Sequence, residues 1–262
     1  MAATTIRFED GAGYEQAMGV WSRLAGGIFL DWLAPPSGLR WIDIGCGNGA
    51  FTELLVQRCV PKEVHAIDPS ECQLAFARNR PVTRLAIFYA GDAMALPCPA
   101  DRFDAAVMAL VVVFLSDPAK AIDEMVRVVR PAGTVATYVW DMLDGGFPLE
   151  PILDEMRRMG HVPASPPRTS ASRMDALRDL WTGAGLEAVE AREITVARTF
   201  ADFEEFWITN LVGPTVGPAI AGLAVGEAEE LKNRVRARLS GFAGKRITCR
   251  ARANAIKGRV PG

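Results

Sequence analysis

With 262 residues, half of them hydrophobic and 23% charged, the chain is too long for a minimal module and too apolar for a disordered one. It fits one large domain with an insertion, or two small ones. The longest apolar run, Ala105 to Leu115, is well short of the roughly 20 residues of a membrane span, and the opening Met-Ala-Ala-Thr-Thr lacks the apolar core of a secretory signal. The net charge of −2 hides an asymmetry. From Leu231 onward the chain has basic residues and no acids, so the preceding part is acidic. Scattered single charges of this kind predict a basic segment lying against an acidic body. The same charges also suit a site for an anionic substrate, while the lack of interleaved aromatics weighs against nucleic acid. The five cysteines, Cys46, Cys59, Cys72, Cys98 and Cys249, are odd in number and never spaced CxxC. That opposes a disulfide framework and a zinc site and predicts a reducing, cytoplasmic setting. Arginine and alanine outweighing lysine points to a GC-rich bacterial source.

The first 38 residues read as a helical cap. Tyr14, Met18 and Trp21 share one helix face, Gly26-Gly27 predicts an interruption, and Pro35-Pro36 predicts a stop. Residues 39–141 then alternate strand and helix. Strands are expected at 39–44, 63–67, 85–89, 103–112 and 134–140. Helices are expected at 50–59, 70–78, capped by Ser70, and 118–129. This rhythm means a parallel sheet covered on both faces. Residues 142–173 break it with two adjacent glycines and five prolines and read as a lid insertion holding one short helix at 149–159. Residues 174–262 return to the sheet, with a helix at 174–184, strands at 186–197 and 247–256, and a helical insertion at about 200–240.

The stretch Trp41-Ile-Asp-Ile-Gly-Cys-Gly-Asn-Gly-Ala50 carries the chemistry. Glycines between a strand and a helix let the backbone approach a ligand, and the helix N-terminus offers free N–H groups. Gly45-x-Gly47-x-x-Ala50 also satisfies the dinucleotide fingerprint, so the glycines leave the ligand open. Asp43 narrows it. A carboxylate at that strand end repels a pyrophosphate and favours a cation-bearing ligand without phosphate, as S-adenosylmethionine is. Asp68 ends the second strand, where a carboxylate accepts both ribose hydroxyls. Asp92 follows the third strand, in reach of an adenine amino group. All three acids fall at the carboxyl edge, where open α/β sheets bind ligands.

With WIDIGCGNGAFT, VHAIDPSECQLAFAR, FYAGDAMALPCPADRFDAAVMALVVVFLSDP and EMVRVVRPAGTVA, the chain resembles the class I S-adenosylmethionine-dependent methyltransferases, of the small-molecule type 11 kind related to the ubiquinone/menaquinone-biosynthesis enzymes. The resemblance covers about Trp41 to Trp140 well and the rest in outline. It implies a Rossmann-like α/β sheet of seven strands, order 3-2-1-4-5-7-6 with the last antiparallel, and a helical cap. It implies that Asp43, Gly45, Cys46 and Gly47 hold the methionine end of the cofactor and that Gly49 begins the helix. Asp68 takes the ribose, Pro69 and Gln73 lie near the adenine, Asp92 and Ala93 bind its edge, and Ala109 and Leu110 lie beside the methionine moiety. S-adenosylhomocysteine is the implied product. Many relatives carry a histidine just past strand four; Val111 to Leu115 has none, so no catalytic base carries over.

No Ser-His-Asp set and no metal cluster is apparent, so positioning of a small-molecule acceptor is expected to supply most of the acceleration. Tyr14, Asp141 and His161 are the weak candidates for a base, and Trp21 and Trp140 for substrate contacts. Cys46 reads as a small loop residue and His65 as a packed side chain. The lid suggests a hydrophobic or amphipathic acceptor, and a monomer or homodimer is expected. Three alternatives stand beside this reading: an NAD(P)-dependent oxidoreductase, an S-adenosylmethionine-binding protein without catalysis, and a nucleic-acid methyltransferase using the basic tail.

Overall fold

The computed structural model describes residues 11–213, 215–239 and 246–262, so the first ten residues of the expected cap and the stretch 240–245 lie outside it. Seven strands form one sheet in the order β3-β2-β1-β4-β5-β7-β6. They are β1 Arg40–Ile44, β2 Glu63–Asp68, β3 Ala86–Ala90, β4 Phe103–Ala109, β5 Val129–Trp140, β6 Glu187–Phe200 and β7 Ile247–Arg259. The first five run parallel, and β7 is antiparallel to both neighbours. Order and direction are those the resemblance implies. Asp43 pairs with Ala66 on one side and Val107 on the other, so it sits on an interior strand.

Helices cover both faces, because strands buried on two sides need two apolar partners. One core packs α2 (Val20–Leu33), α3 (Ala50–Cys59), α6 (Glu150–Arg158), α8 (Phe203–Leu211) and α10 (Val225–Leu239) on one face of the sheet. The other core packs α5 (Pro118–Val128) and α7 (Met174–Gly183). Helix α4 (Glu71–Arg78) starts where the Ser70 hydroxyl accepts from the Gln73 N–H at 3.4 Å, the cap expected of it. A short helix, α9 (Val216–Ala221), lies between α8 and α10.

Several boundaries differ from expectation, β7 running on to Arg259 among them. Gly26-Gly27 does not interrupt its helix, which runs from α1 (Gly11–Tyr14) through a π turn, Glu15–Gly19, into α2. Gly26 is there for proximity. A Cβ on it would stand 3.0 Å from Leu54 Cδ2, 3.1 Å from Phe51 Cδ2 and 3.1 Å from the Tyr138 hydroxyl. Strand β4 stops three residues early, because Leu110 turns into the left-handed region with φ of 65° while its N–H donates to Tyr138 O at 2.8 Å. Strand β5 begins five residues early. Val129 follows α5 directly and pairs with Phe103, and the register shifts before Ala105 meets Thr134. Strand β6 runs on to Phe200 because every residue from Ala191 to Phe200 finds a partner on β7. Helix α8 therefore starts at Phe203, capped by Asp202, which accepts from Glu205 N at 2.9 Å.

The basic C-terminal segment lies against acids, as its charge pattern predicts. Lys232 and Arg236 pair with Glu204, Arg238 with Asp154 and Glu155, Arg252 with Asp141, and Lys257 with Glu190.

Replacing a helical glycine normally stabilises, but at Gly26 the contacts decide the sign. Gly26→Leu is expected to lower the unfolding free energy by about 1–3 kcal/mol, read as a fall in the urea midpoint; an unchanged or raised midpoint contradicts this packing.

Candidate cofactor site

The carboxyl ends of β1, β2, β3 and β4 open into a cavity of about 520 Å³. Its floor is the glycine loop. The Gly45 and Cys46 N–H groups both donate to Ile67 O, at 2.7 and 2.9 Å, which turns the loop over the end of β2. Gly45 has φ of 70°, and a Cβ there would strike Val111 Cγ2 at 2.4 Å. Gly47 is the opposite case. Its φ is 52°, and a Cβ would meet only Gln73 Oε1 at 4.0 Å. The Gly47 backbone therefore lies bare against the cavity, a cradle that any side chain would fill.

Asp68 faces the same space. Its Oδ2 accepts from Gly47 N and its Oδ1 from Ser70 N, each at 2.8 Å. Two backbone donors fix the carboxylate, and each oxygen keeps a lone pair for a ligand hydroxyl. Burial raises its pKa above the ordinary range, against the pull of those two bonds. Asp92 accepts from Met94 N at 2.9 Å and stays exposed at the rim.

Asp43 stands behind the loop rather than in the cavity wall. It is fully buried. Its Oδ2 accepts from the Thr52 hydroxyl at 2.6 Å, and its Oδ1 has no partner among the described residues. Burial, with a smaller push from Asp68, raises its pKa to about 7, against the Thr52 bond. An under-satisfied carboxyl at that depth favours a nearby positive charge.

Most of the residues named from the sequence come together here. Gly45, Cys46, Gly47, Asp68, Pro69, Gln73, Asp92, Ala93, Ala109 and Leu110 line the cavity, as do Tyr14 and Trp140. Gly49 does not. It turns the chain with φ of 78° into α3, where a Cβ would sit 2.9 Å from that of Ala77. Trp21 is absent from the wall and is buried in the core against the sheet. Asp141 is also absent. It pairs with Arg252 at 3.0 Å and caps a turn through Leu143 N and Asp144 N. His161 lines a neighbouring chamber. The Cys46 thiol is buried and its pKa raised well above the usual value by burial, so it stays a thiol. His65 is packed within β2 between Tyr89 and Glu63.

The sequence reading missed Ser22, Phe114, Leu115, Tyr138, Phe147, Leu149 and Thr215 in the wall. Their signal was weak because they come from segments whose path the local pattern does not fix. The helix bearing Tyr14 and Met18 is held across the cavity by charge. Glu15 pairs with Arg80 and Arg23, Asn48 Nδ2 donates to Gly11 O at 3.1 Å, and Arg80 reaches Glu53 at 2.8 Å.

Sheet order and the cavity at its carboxyl edge agree with the resemblance drawn from the sequence. Residues 42–137 match the family model described as a methyltransferase domain. Among curated relatives, 2-methyl-6-phytyl-1,4-hydroquinone methyltransferase 2 of Oryza sativa subsp. japonica is 38% identical over 36% of this chain and 27% of its own. The demethylmenaquinone methyltransferase of Roseiflexus castenholzii is 35% identical over 49% of this chain and 50% of its own. The chain thus spans half or less of these relatives' length. Among solved structures, phosphoethanolamine N-methyltransferase 2 of Haemonchus contortus, in complex with S-adenosyl-L-methionine, superposes with a TM-score of 0.61 at 16% identity, over 98% of this chain and 58% of that one. These matches show that residues 42–137 form a methyltransferase domain on the fold of that class.

The folded carboxyl of Asp43 holds its proton to about pH 7, against an ordinary value of 3.8. Its contribution is then most favourable at low pH and declines as pH rises from 3.8 through 7, by up to about 4 kcal/mol. Asp43→Asn removes that decline. The ligand-free variant is expected to melt higher than the parent at pH 8 and near it only at pH 4 and below; a parallel pH dependence of the two melting temperatures contradicts the assignment.

Proposed function

We propose that this chain binds S-adenosylmethionine in the cavity above β1, β2 and β3 and transfers its methyl group to a small-molecule acceptor. The observation that carries the reading is the pairing of a fixed, cavity-facing Asp68 carboxylate with the bare backbone of Gly47. A cavity with convergent polar groups at the carboxyl edge of such a sheet suits a nucleoside. Asp68 accepts the ribose hydroxyls. Asp43 supplies negative charge toward the ammonium end from behind the loop. Asp92 and Ala93 meet the adenine edge. When bound, the cofactor offers a methyl carbon on a sulfonium: the acceptor lone pair bonds to that carbon as the carbon–sulfur pair returns to sulfur, leaving a neutral thioether.

The protein's own contribution is placement and the exclusion of water. Val111, Phe114 and Leu115 make an apolar wall where many relatives carry a histidine. Tyr14 lies in the wall and is kept a phenol by burial, which raises its pKa. Asp141 is committed to Arg252. His161 is therefore left as the candidate for accepting the acceptor's proton, while Tyr14, held as a phenol, can only donate a hydrogen bond. In this reading residues 39–141 bind the cofactor, and residues 1–38 and 142–173 cover it. A cytoplasmic setting agrees with the five free cysteines, and a bacterial origin and a monomeric or homodimeric state complete the reading. Among the described residues no helix is long and apolar enough to cross a membrane.

The relatives do not agree on an acceptor. Two concern quinone rings, and another, at 31% identity, is a malonyl-[acyl-carrier protein] O-methyltransferase. The acceptor must be read from this chain's own walls.

Calorimetric titration with S-adenosylmethionine, S-adenosylhomocysteine and NAD tests the proposal. Micromolar binding of the first two is expected, weakened at least about 100-fold in Asp68→Ala through loss of its ligand hydrogen bonds. Tighter binding of NAD, or an indifferent Asp68→Ala, sinks it.

A further inference from the structure

Away from the cavity, five side chains make an unbroken line of contacts across β2 and β3. Cys98 Sγ lies 3.0 Å from the Tyr89 hydroxyl, and that hydroxyl lies 3.1 Å from His65 Nδ1. His65 Nε2 lies 2.6 Å from Glu63 Oε1, and Arg102 donates to the same oxygen at 2.5 Å. The direction of the line is set from its far end. Arg102 holds the Glu63 carboxyl below its usual pKa, so Glu63 is a carboxylate and can only accept. His65 Nε2 is therefore the donor, which leaves Nδ1 of the neutral ring to accept from Tyr89. The Tyr89 oxygen is then left to accept from the Cys98 thiol. Burial first, and the Cys98 contact second, raise the Tyr89 pKa, so Tyr89 passes a proton on without standing as a phenolate.

Solvent reaches this thiol. Cys98 is half-buried, whereas Cys46, Cys59 and Cys249 are buried. Ile87, on the same face of β3 as Tyr89, is 53% exposed, so this side of the sheet is open. Neither cavity described above includes Cys98, which favours a small reagent over a bound organic one. A cysteine attacks as its thiolate, and here a base stands two hydrogen bonds away. The contact also closes a segment of the cofactor site. Tyr89 lies at the end of β3 and Cys98 nine residues on, and Asp92 and Ala93 between them line the cofactor cavity. The other side of that segment is held to α5, where Arg127 donates to Cys98 O at 2.8 Å and to Leu96 O at 3.0 Å.

We infer that Cys98 is a modification site: a hydroperoxide oxidises it to a sulfenic acid, and the change loosens the adenine edge of the cofactor cavity. The thiol proton passes to the Tyr89 oxygen as the Tyr89 proton passes to His65 Nδ1. The freed sulfur pair bonds to one peroxide oxygen, and the O–O bond breaks with its electron pair on the other. That leaving oxygen takes up one proton at the expense of the imidazolium. Sulfur is oxidised by two electrons and the peroxide is reduced to water or an alcohol. The added oxygen has to stand where the phenol now does, so the tie between Tyr89 and Cys98 opens. The loosening rests on the cofactor reading above; the oxidation does not.

The test treats the full chain with hydrogen peroxide, traps sulfenic acid with dimedone and maps the adducts by mass spectrometry, with the exposed Cys72 as internal reference. Cys98 is expected to be labelled at least about tenfold faster than Cys72. Tyr89→Phe, which keeps the ring and breaks the relay, is expected to remove that advantage, and so is His65→Gln, which keeps both thiol and phenol. Peroxide is expected to weaken S-adenosylhomocysteine binding to the parent about fivefold, the worth of about one hydrogen bond. Dithiothreitol restores the affinity, and Cys98→Ser does not respond to peroxide. Labelling of Cys98 no faster than of Cys72, or an advantage that survives both relay substitutions, overturns the modification site. Unchanged S-adenosylhomocysteine affinity once Cys98 is oxidised overturns the coupling. Failure of the untreated parent to bind S-adenosylhomocysteine overturns the cofactor reading and the coupling with it, and leaves the labelling result to stand by itself.

Discussion

A carboxyl group buried on the interior strand β1 is the constraint around which the site is arranged. Asp43 has one oxygen bonded to Thr52 and one without a partner among the described residues. Such a group costs stability when ionised and unbound. Its surroundings maintain it nonetheless. The flanking strands β2 and β4 hold it in register, and the glycine loop turns away over Ile67 O. The outcome is latent negative charge beneath a cavity, which a bound cation would compensate. A site that is least comfortable when empty is a familiar trade of stability for function.

The two edges of the sheet show the same chemistry used in opposite ways. At the amino end of β4, Asp104 bonds to Arg40 at 2.7 Å through the backbone and to Arg130 through the side chain. Those partners hold its carboxyl well below the usual range. At the carboxyl edge, Asp43 and Asp68 are shifted upward by burial. The charge-paired Asp104 braces the fold, whereas the buried Asp68 lies in the cavity wall and Asp43 behind it. Above the cavity the cover is divided as well. The N-terminal helix is latched through Glu15 and Arg80, whereas the insertion is tied by backbone bonds around an apolar chamber. The first borders the cavity at the glycine loop, and the second walls the chamber beside it.

What the sequence made legible follows from how local each determinant is. Strand–glycine–helix spacing puts Gly45, Gly47 and Asp68 at one edge whatever the rest of the chain does, and the cavity wall contains all three. The strand order needed the family resemblance, because alternation alone does not fix which strand neighbours which. Gly26-Gly27 misled because a glycine pair signals a break locally, while here it admits Phe51, Leu54 and Tyr138 from distant segments. The apolar run past Ala109 hid the left-handed turn at Leu110, since apolar composition carries no mark of where a strand ends. Trp21 and Asp141 were plausible site residues by position, yet one packs into the core and the other is consumed by Arg252, a partner 111 residues away. The second chamber was beyond sequence reasoning, for it is assembled from four separate stretches of chain.

The central claim is that Asp43 gives up its proton when the cofactor's cation arrives. Titrating S-adenosylhomocysteine near pH 6, in buffers of different protonation enthalpy, counts the protons exchanged. A carboxyl with a pKa of about 7 is mostly protonated there, so the account predicts release of close to one proton per ligand bound. It predicts that the release disappears in Asp43→Asn. Binding without proton release, or release that survives the substitution, contradicts it.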